Sequence, residues 1–351
     1  MLIVRAPFRI SFGGGGTDLA AYYTRFGGFV VSAAITRYCY VIADQPTDGG
    51  IHINSADYRL WETYPRGMLP TMQEPLALPK AAIAWFAKYG LLEKGVNLFL
   101  SSEVPPGTGL GSSSAMAVAL VQALSFYLAR PIEPLGVAEL ACWLEIEQLG
   151  MPIGKQDQYA SACGGLNAIH FTDGGVRVIP LDLSANVVTA LSSRLLLFST
   201  GQTRNSAAIL CQQRADTQSD PATVASLHRI KALAEQMREA LLAGHLDHFG
   251  QLLDLAWCEK RNLSEHISTT VIDCWYKAAR QAGALGGKIT GAGGGGFLLL
   301  YCPLPRQEAV RATMAHMGLR EMTFDLDFMG TQAWRPQGIA TTIHEETEKH
   351  V

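Results

Sequence analysis

Several large protein classes are excluded by what this sequence lacks. Its seven cysteines, at 39, 142, 163, 211, 258, 274 and 302, are odd in number and form no Cys-x-x-Cys pair. That speaks against a disulfide framework or a zinc site and fits a reducing compartment. Charged residues are scarce, at 17%, and no run of Lys or Arg occurs. The net charge is -3, without the clustered basic patch of a dedicated nucleic-acid binder. Long apolar runs are missing too. The most apolar stretch, 115–128, is too short to span a bilayer and predicts a buried core helix. Residues 1–12 have neither the basic start nor the small-residue cleavage site of a signal peptide. A cytoplasmic protein with no nucleic-acid or membrane partner is the expectation.

What is present is the make-up of a folded enzyme. The 351 residues are enough for two ordinary domains, and 48% of them are hydrophobic. Glycine is abundant, at 35 residues, and concentrates at 13–16, 107–111 and 286–296. Clustered glycine marks tight loops where backbone approaches a ligand.

Periodicity predicts strands at 2–12, 29–43, 96–102, 165–171, 175–181, 194–199 and 297–301, with Asp173-Gly174-Gly175 turning a hairpin. Met322, Phe324, Leu326 and Phe328 alternate with polar residues and predict a half-buried strand at 322–328. Helices are expected at 75–90, 113–129, from Pro134 onward, and at 305–317. Residues 222–283 carry helical periodicity broken near Gly244. A soft domain boundary falls near 185–200, giving domains of 1–190 and 191–345.

The segment 105–115, Pro-Pro-Gly-Thr-Gly-Leu-Gly-Ser-Ser-Ser-Ala, lies between a predicted strand and a predicted helix. Its glycines let consecutive N–H groups face one concavity, and the helix adds its positive N-terminal end. Serine hydroxyls there can bind phosphate oxygens or a magnesium ion. The loop has no Gly-Lys-Ser/Thr ending, so it is not a Walker A sequence. The three serines set it apart from a dinucleotide-binding turn.

This loop resembles the signature of the GHMP kinases, which include galactokinases, homoserine kinases and mevalonate kinases. Residues 6–18 (Ala-Pro-Phe-Arg-Ile-Ser-Phe, four glycines, Thr-Asp) resemble the family's first motif, and 288–297 its third. Within the family the chain is most similar to the D-glycero-D-manno-heptose 7-phosphate kinases. The likeness rests on the four glycines before Thr17-Asp18, the Gly154–Tyr159 element, Thr200-Gly201 with Arg204, and 255–263. Galactokinases carry a Glu-His pair where this chain has Gly15 and Gly16.

The resemblance implies an α+β fold of two domains: one like the second domain of ribosomal protein S5, and one ferredoxin-like. ATP and a sugar phosphate would meet between them. It implies ATP and Mg2+ as requirements and leaves a homodimer open. The implied reaction is transfer to the anomeric hydroxyl of heptose 7-phosphate, for surface polysaccharide synthesis. Rival readings are a kinase for fucose, galactose or free heptose, and an inactive sugar sensor.

By the same likeness, Asp157 is the catalytic carboxylate and Arg9 the cation that supports it. Pro106, Gly107, Gly109, Leu110, Gly111, Ser112, Ser113 and Ser114 bind ATP. Ser113 and Glu145 hold magnesium, although Glu147 lies equally close to the helix's apolar stripe. Asp18, Thr17, Gly15, Gly16, Lys155, Gln156, Gly293 and Gly294 are assigned to the substrate. For a distal phosphate the first candidate is Arg204, followed by Lys155, Arg25, Lys260 and Arg261.

Overall fold

The computed structural model describes residues 1–72, 74–202 and 206–336. Arg204 therefore lies outside the described residues.

The first half runs β1 (Leu2–Gly13), α1 (Ala20–Phe26), β2 (Gly28–Asp44), β3 (Ile51–Ser55), β4 (Leu60–Tyr64), α2 (Ala77–Ala87), α3 (Leu91–Lys94), β5 (Val96–Ser102), α4 (Ser112–Tyr127) and α5 (Pro134–Cys142). A π-helical turn, Trp143–Gln148, extends α5. Then come α6 (Gln156–Cys163), β6 (Leu166–Thr172), β7 (Gly175–Pro180), α7 (Ala185–Ser192), β8 (Leu195–Ser199) and α8 (Ser206–Ser219). The remainder is α9 (Pro221–Leu242), α10 (Leu246–Arg261), α11 (Thr270–Ala282), β9 (Gly286–Ile289), β10 (Phe297–Tyr301), α12 (Gln307–His316), β11 (Arg320–Glu321) and β12 (Gln332–Trp334).

Two sheets organise these elements. The larger has the order β12-β1-β2-β5-β3-β4, with β6 paired to the early part of β2 and β7 to the outer side of β6. The long strand β2 pairs with β6 through residues 28–33 and with β5 through 39–44. The smaller sheet is antiparallel, in the order β11-β8-β10-β9. The chain passes from one sheet to the other across α7 and returns through β12, which pairs with β1.

Helix α4 lies in the main core beneath β1 and β2, as its nearly continuous apolarity predicts. Ala115, Ala117, Ala119 and Ala123 are fully buried, and their small side chains let it approach the strands closely. The position of α4 matters because its first turn carries Ser112, Ser113 and Ser114 to one end of β1.

The strand expected at 322–328 does not form. Within it only Leu326 makes a bridge, to Ile35. The segment crosses between the sheets: Met322 N donates to Leu197 O in one, and Asp327 N donates to Ala34 O in the other. Met322 and Phe324 pack on the core, but Phe328 is exposed. The alternation reflects this packing, while the backbone bonds are spread over two sheets.

Candidate active site

Arg9 and Asp157 form the centre of the site. Arg9 extends from β1 and is 4% exposed. Its Nε donates to Asp157 Oδ1 at 2.7 Å and one terminal nitrogen donates to Oδ2 at 2.6 Å, a two-pronged pair. The other terminal nitrogen donates to Gly109 O at 2.7 Å, and Arg9 N donates to Leu110 O at 3.1 Å. One arginine thus ties the glycine loop to the carboxylate in the first turn of α6. Gly111, at φ 77°, lies beside that carboxylate, and a Cβ there would stand 3.0 Å from Asp157 Oδ2.

Asp18 is buried beside this pair. Its Oδ1 accepts from Gly16 N at 2.9 Å, and its Oδ2 accepts from Gln156 Nε2 at 3.0 Å. Burial, followed by the nearby charge of Asp157, raises its pKa above the ordinary carboxylate value.

Glu145, in the π-helical turn that extends α5, is fully buried. Ser113 Oγ donates to its Oε1 at 2.6 Å, and Gln158 Nε2 donates to its Oε2 at 2.6 Å. No cation pairs with it among the described residues. Burial pushes its pKa up to about 7, against the lowering effect of those hydrogen bonds. Glu147 is exposed. The π-helical turn explains why a regular helical wheel leaves the two glutamates equivalent: the wider turn changes the register within the segment that carries them.

Arg9, Asp18, Asp157 and Ser113 face one cavity of about 280 Å³, and Glu145 is buried behind Ser113 outside its lining. Arg9, Asp18, Gly15, Gly16, Gln156 and Asp157 line it, together with Gly107, Gly109, Gly111 and Ser112, Ser113 and Ser114. A neighbouring cavity of about 430 Å³ shares Gly107, Ser112, Ser113 and Met151 with it, and adds Pro106 and an apolar wall of Tyr58, Met72, Leu76, Leu100 and Met116. A polar chamber therefore opens beside an apolar one, with the serine-bearing helix start at their junction.

Five of the residues assigned from the sequence do not line the cavity. The Leu110 side chain is fully buried in the core, and its carbonyl accepts from Arg9 N. Thr17 points inward, its Oγ1 donating to Gly14 O at 2.7 Å and accepting from Phe29 N at 3.0 Å, so it braces the loop. Lys155 places its ammonium 5.4 Å from the Tyr23 ring centroid and does not line the cavity. Gly293 and Gly294 pack against Ile267, while Gly291 and Ala292 line the cavity in their place. The third glycine motif instead buttresses the glycine loop at 105–111: Thr290 Oγ1 donates to Thr108 O at 3.1 Å. Gly291 also lies against Gly109, where a Cβ would come within 2.5 Å of the Gly109 Cα.

Among the basic candidates, Lys260 reaches the cavity and donates to Gly291 O. Arg25 lies over the Phe26 ring, and Arg261 pairs with Asp273. Sequence reasoning missed Ser11, Leu210, Gln213 and 151–153, all of which line the cavity. Ser11 lies inside the recognised first motif. The others belong to a loop and a helix without any motif of their own.

Comparison with known proteins agrees with this architecture. The GHMP kinases N terminal domain matches residues 77–165, and GHMP kinases C terminal matches 237–318. A D-glycero-alpha-D-manno-heptose 7-phosphate kinase of Campylobacter jejuni is 30% identical over 335 residues, 94% of this chain and 98% of its own. The chain belongs to the GHMP kinases. A crystal structure of a D-glycero-D-manno-heptose 1-phosphate kinase from Bacteroides thetaiotaomicron is 27% identical, with a TM-score of 0.79 over 96% of this chain and all of that one. A mevalonate kinase of Thermococcus sibiricus is 27% identical over 85% of this chain and 90% of its own. This GHMP kinase is accordingly a phosphotransferase that uses ATP, with the two-domain α+β fold of its family. No helix among the described residues is long and apolar enough to cross a membrane.

Proposed function

We propose that this GHMP kinase phosphorylates the anomeric hydroxyl of D-glycero-D-manno-heptose 7-phosphate, giving the 1,7-bisphosphate and ADP for surface polysaccharide synthesis. The observation that carries the reading is the meeting of Asp18 and the Arg9–Asp157 pair with the serine-bearing loop in one cavity. The substrate itself is inferred from likeness to the heptose-phosphate kinases.

In this reading the polar chamber takes the sugar and the apolar chamber takes the nucleotide base. The triphosphate lies across the start of α4, where backbone N–H groups and the helix end favour its charge. Asp157, held by Arg9, accepts a hydrogen bond from the sugar hydroxyl. The sugar oxygen–phosphorus bond forms as the bond from the γ-phosphorus to the bridging oxygen breaks. ADP leaves with that electron pair, and the hydroxyl proton passes to Asp157. Asp18, deep in the chamber, binds further hydroxyls of the sugar.

Glu145 and Ser113 fit a magnesium ion. They are hard oxygen donors, and Glu145 is a buried carboxylate that lacks a cation among the described residues. The remaining ligands of such an ion are commonly phosphate oxygens and water. When bound, it would neutralise phosphate charge beside the loop.

The test is ADP release with ATP and Mg2+ across heptose 7-phosphate, free heptose, mannose, fucose and galactose. Preference for the 7-phosphate is the expected result. Preference for another sugar would retain the kinase and overturn its substrate.

A further inference from the structure

We infer that Gln213, on α8, reads a hydroxyl of the acceptor sugar, and that the glycine at position 16 is what admits it to the site. The inference rests on the sugar-kinase reading above.

Gln213 is 4% exposed and lines the central cavity, yet its Nε2 has no hydrogen-bond partner among the described residues. A buried amide donor without an acceptor is costly in a protein interior. Two other buried atoms in the same cavity share this condition: Ser11 Oγ and Gln156 Oε1. The carbonyl of Ser11 accepts from Lys288, and Gln156 Nε2 donates to Asp18, so both residues are otherwise held in place. The unpartnered set therefore consists of an amide donor, a hydroxyl that donates and accepts, and an amide acceptor. A phosphate would call for donors alone. Mixed neutral donors and acceptors suit sugar hydroxyls, which do both.

The glycines explain how this wall is accommodated. A Cβ at position 16 would stand 2.3 Å from Gln213 Nε2, so a side chain there would displace the amide. A Cβ at position 15 would stand 3.6 Å from Gln156 Nε2 and 3.7 Å from Ser11 Oγ, in the space between them. With both positions bare, α8 adds Gln213 to a polar wall that also includes Ser11 of β1 and Gln156 of α6. The loop itself contributes backbone and Asp18.

The experiment uses Gln213→Met, which keeps the length of the side chain without its donor, and Gln213→Glu, which keeps its shape and loses the Nε2 donor. Steady-state kinetics are measured on the full chain with the sugar preferred by the unaltered protein and with its mono-deoxy analogues. The expected result is a sugar KM raised roughly tenfold or more in either variant, with the ATP KM unchanged. One deoxy analogue should lose far less than the parent sugar, which identifies the hydroxyl that Gln213 reads. A variant with unaltered melting temperature and unaltered sugar KM overturns the inference and leaves the kinase reading intact. Equal losses for every analogue also overturn it. If the unaltered protein phosphorylates no sugar, the kinase reading falls and this inference falls with it.

Discussion

The two sides of the cavity are finished to different degrees. On the loop side, the charged groups already have partners within the protein. Asp157 is clasped by Arg9, and Glu145 accepts from Ser113 and Gln158. Elsewhere in the wall, Gln213 and Ser11 keep buried polar atoms with no partner among the described residues. The first arrangement fixes a carboxylate in advance, which suits chemistry that depends on positioning and electrostatics. The second leaves bonds to be made by whatever enters, which suits discrimination between ligands.

The largest effect should come from Asp157→Asn. Turnover is expected to fall by roughly 10²–10⁴-fold, the usual contribution of a positioned acid or base, while ATP binding survives. Rapid-quench kinetics alongside nucleotide titration would measure both. Near-normal turnover would remove Asp157 from the mechanism.

Arg9→Met tests whether the loop side is prebuilt by that one cation. It strands a carboxylate and releases the Gly109 carbonyl, so stability should fall by about 3–5 kcal/mol, as for a broken buried pair. Urea unfolding reads this directly. A loss below about 1 kcal/mol, the range of a surface pair, would mean that the pair is solvated in practice.

Glu145 carries a pH signature. Its pKa is raised to about 7 in the folded state, so between about 4.5 and 7 the folded chain holds a proton that the unfolded chain releases. Its contribution to stability is therefore fully present below about 4.5 and lost as pH rises through about 7. In the absence of Mg2+, Glu145→Gln should flatten the decline in stability over that range. Unfolding curves at several pH values would show it, and an unchanged slope would place the shift elsewhere. The same proton should compete with Mg2+, so the apparent metal affinity of the unaltered protein should weaken below about pH 7.

The smallest effect is expected from Lys155→Ala. Its ammonium lies over Tyr23 and outside the cavity, so KM for both substrates should stay within about twofold. A selective rise in the sugar KM would return Lys155 to the substrate site.

What could be read from the sequence follows the same division. The strand at 96–102 and the buried helix after it were legible because strong apolar patterns and a glycine loop bracket them. Arg9, Asp18, Ser113 and Asp157 were legible because each sits in a short, motif-bearing segment near backbone that must take a particular shape. Gln213 was not: a polar residue on a helix resembles any solvated surface residue until the packing of that helix is known. The choice between Glu145 and Glu147 needed a π-helical turn that no regular periodicity announces. Thr17, Gly293 and Gly294 belong to the right loops, but motif membership does not tell a residue that lines a cavity from one that braces it.

The most direct test of the account is ³¹P NMR of the product formed from ATP, Mg2+ and heptose 7-phosphate, for the unaltered protein and for Asp157→Asn. The expected result is a new anomeric phosphate resonance beside the retained 7-phosphate, appearing with ADP and nearly absent in the variant. ADP formed without a sugar phosphate ester, or the same product at the same rate from the variant, would contradict it.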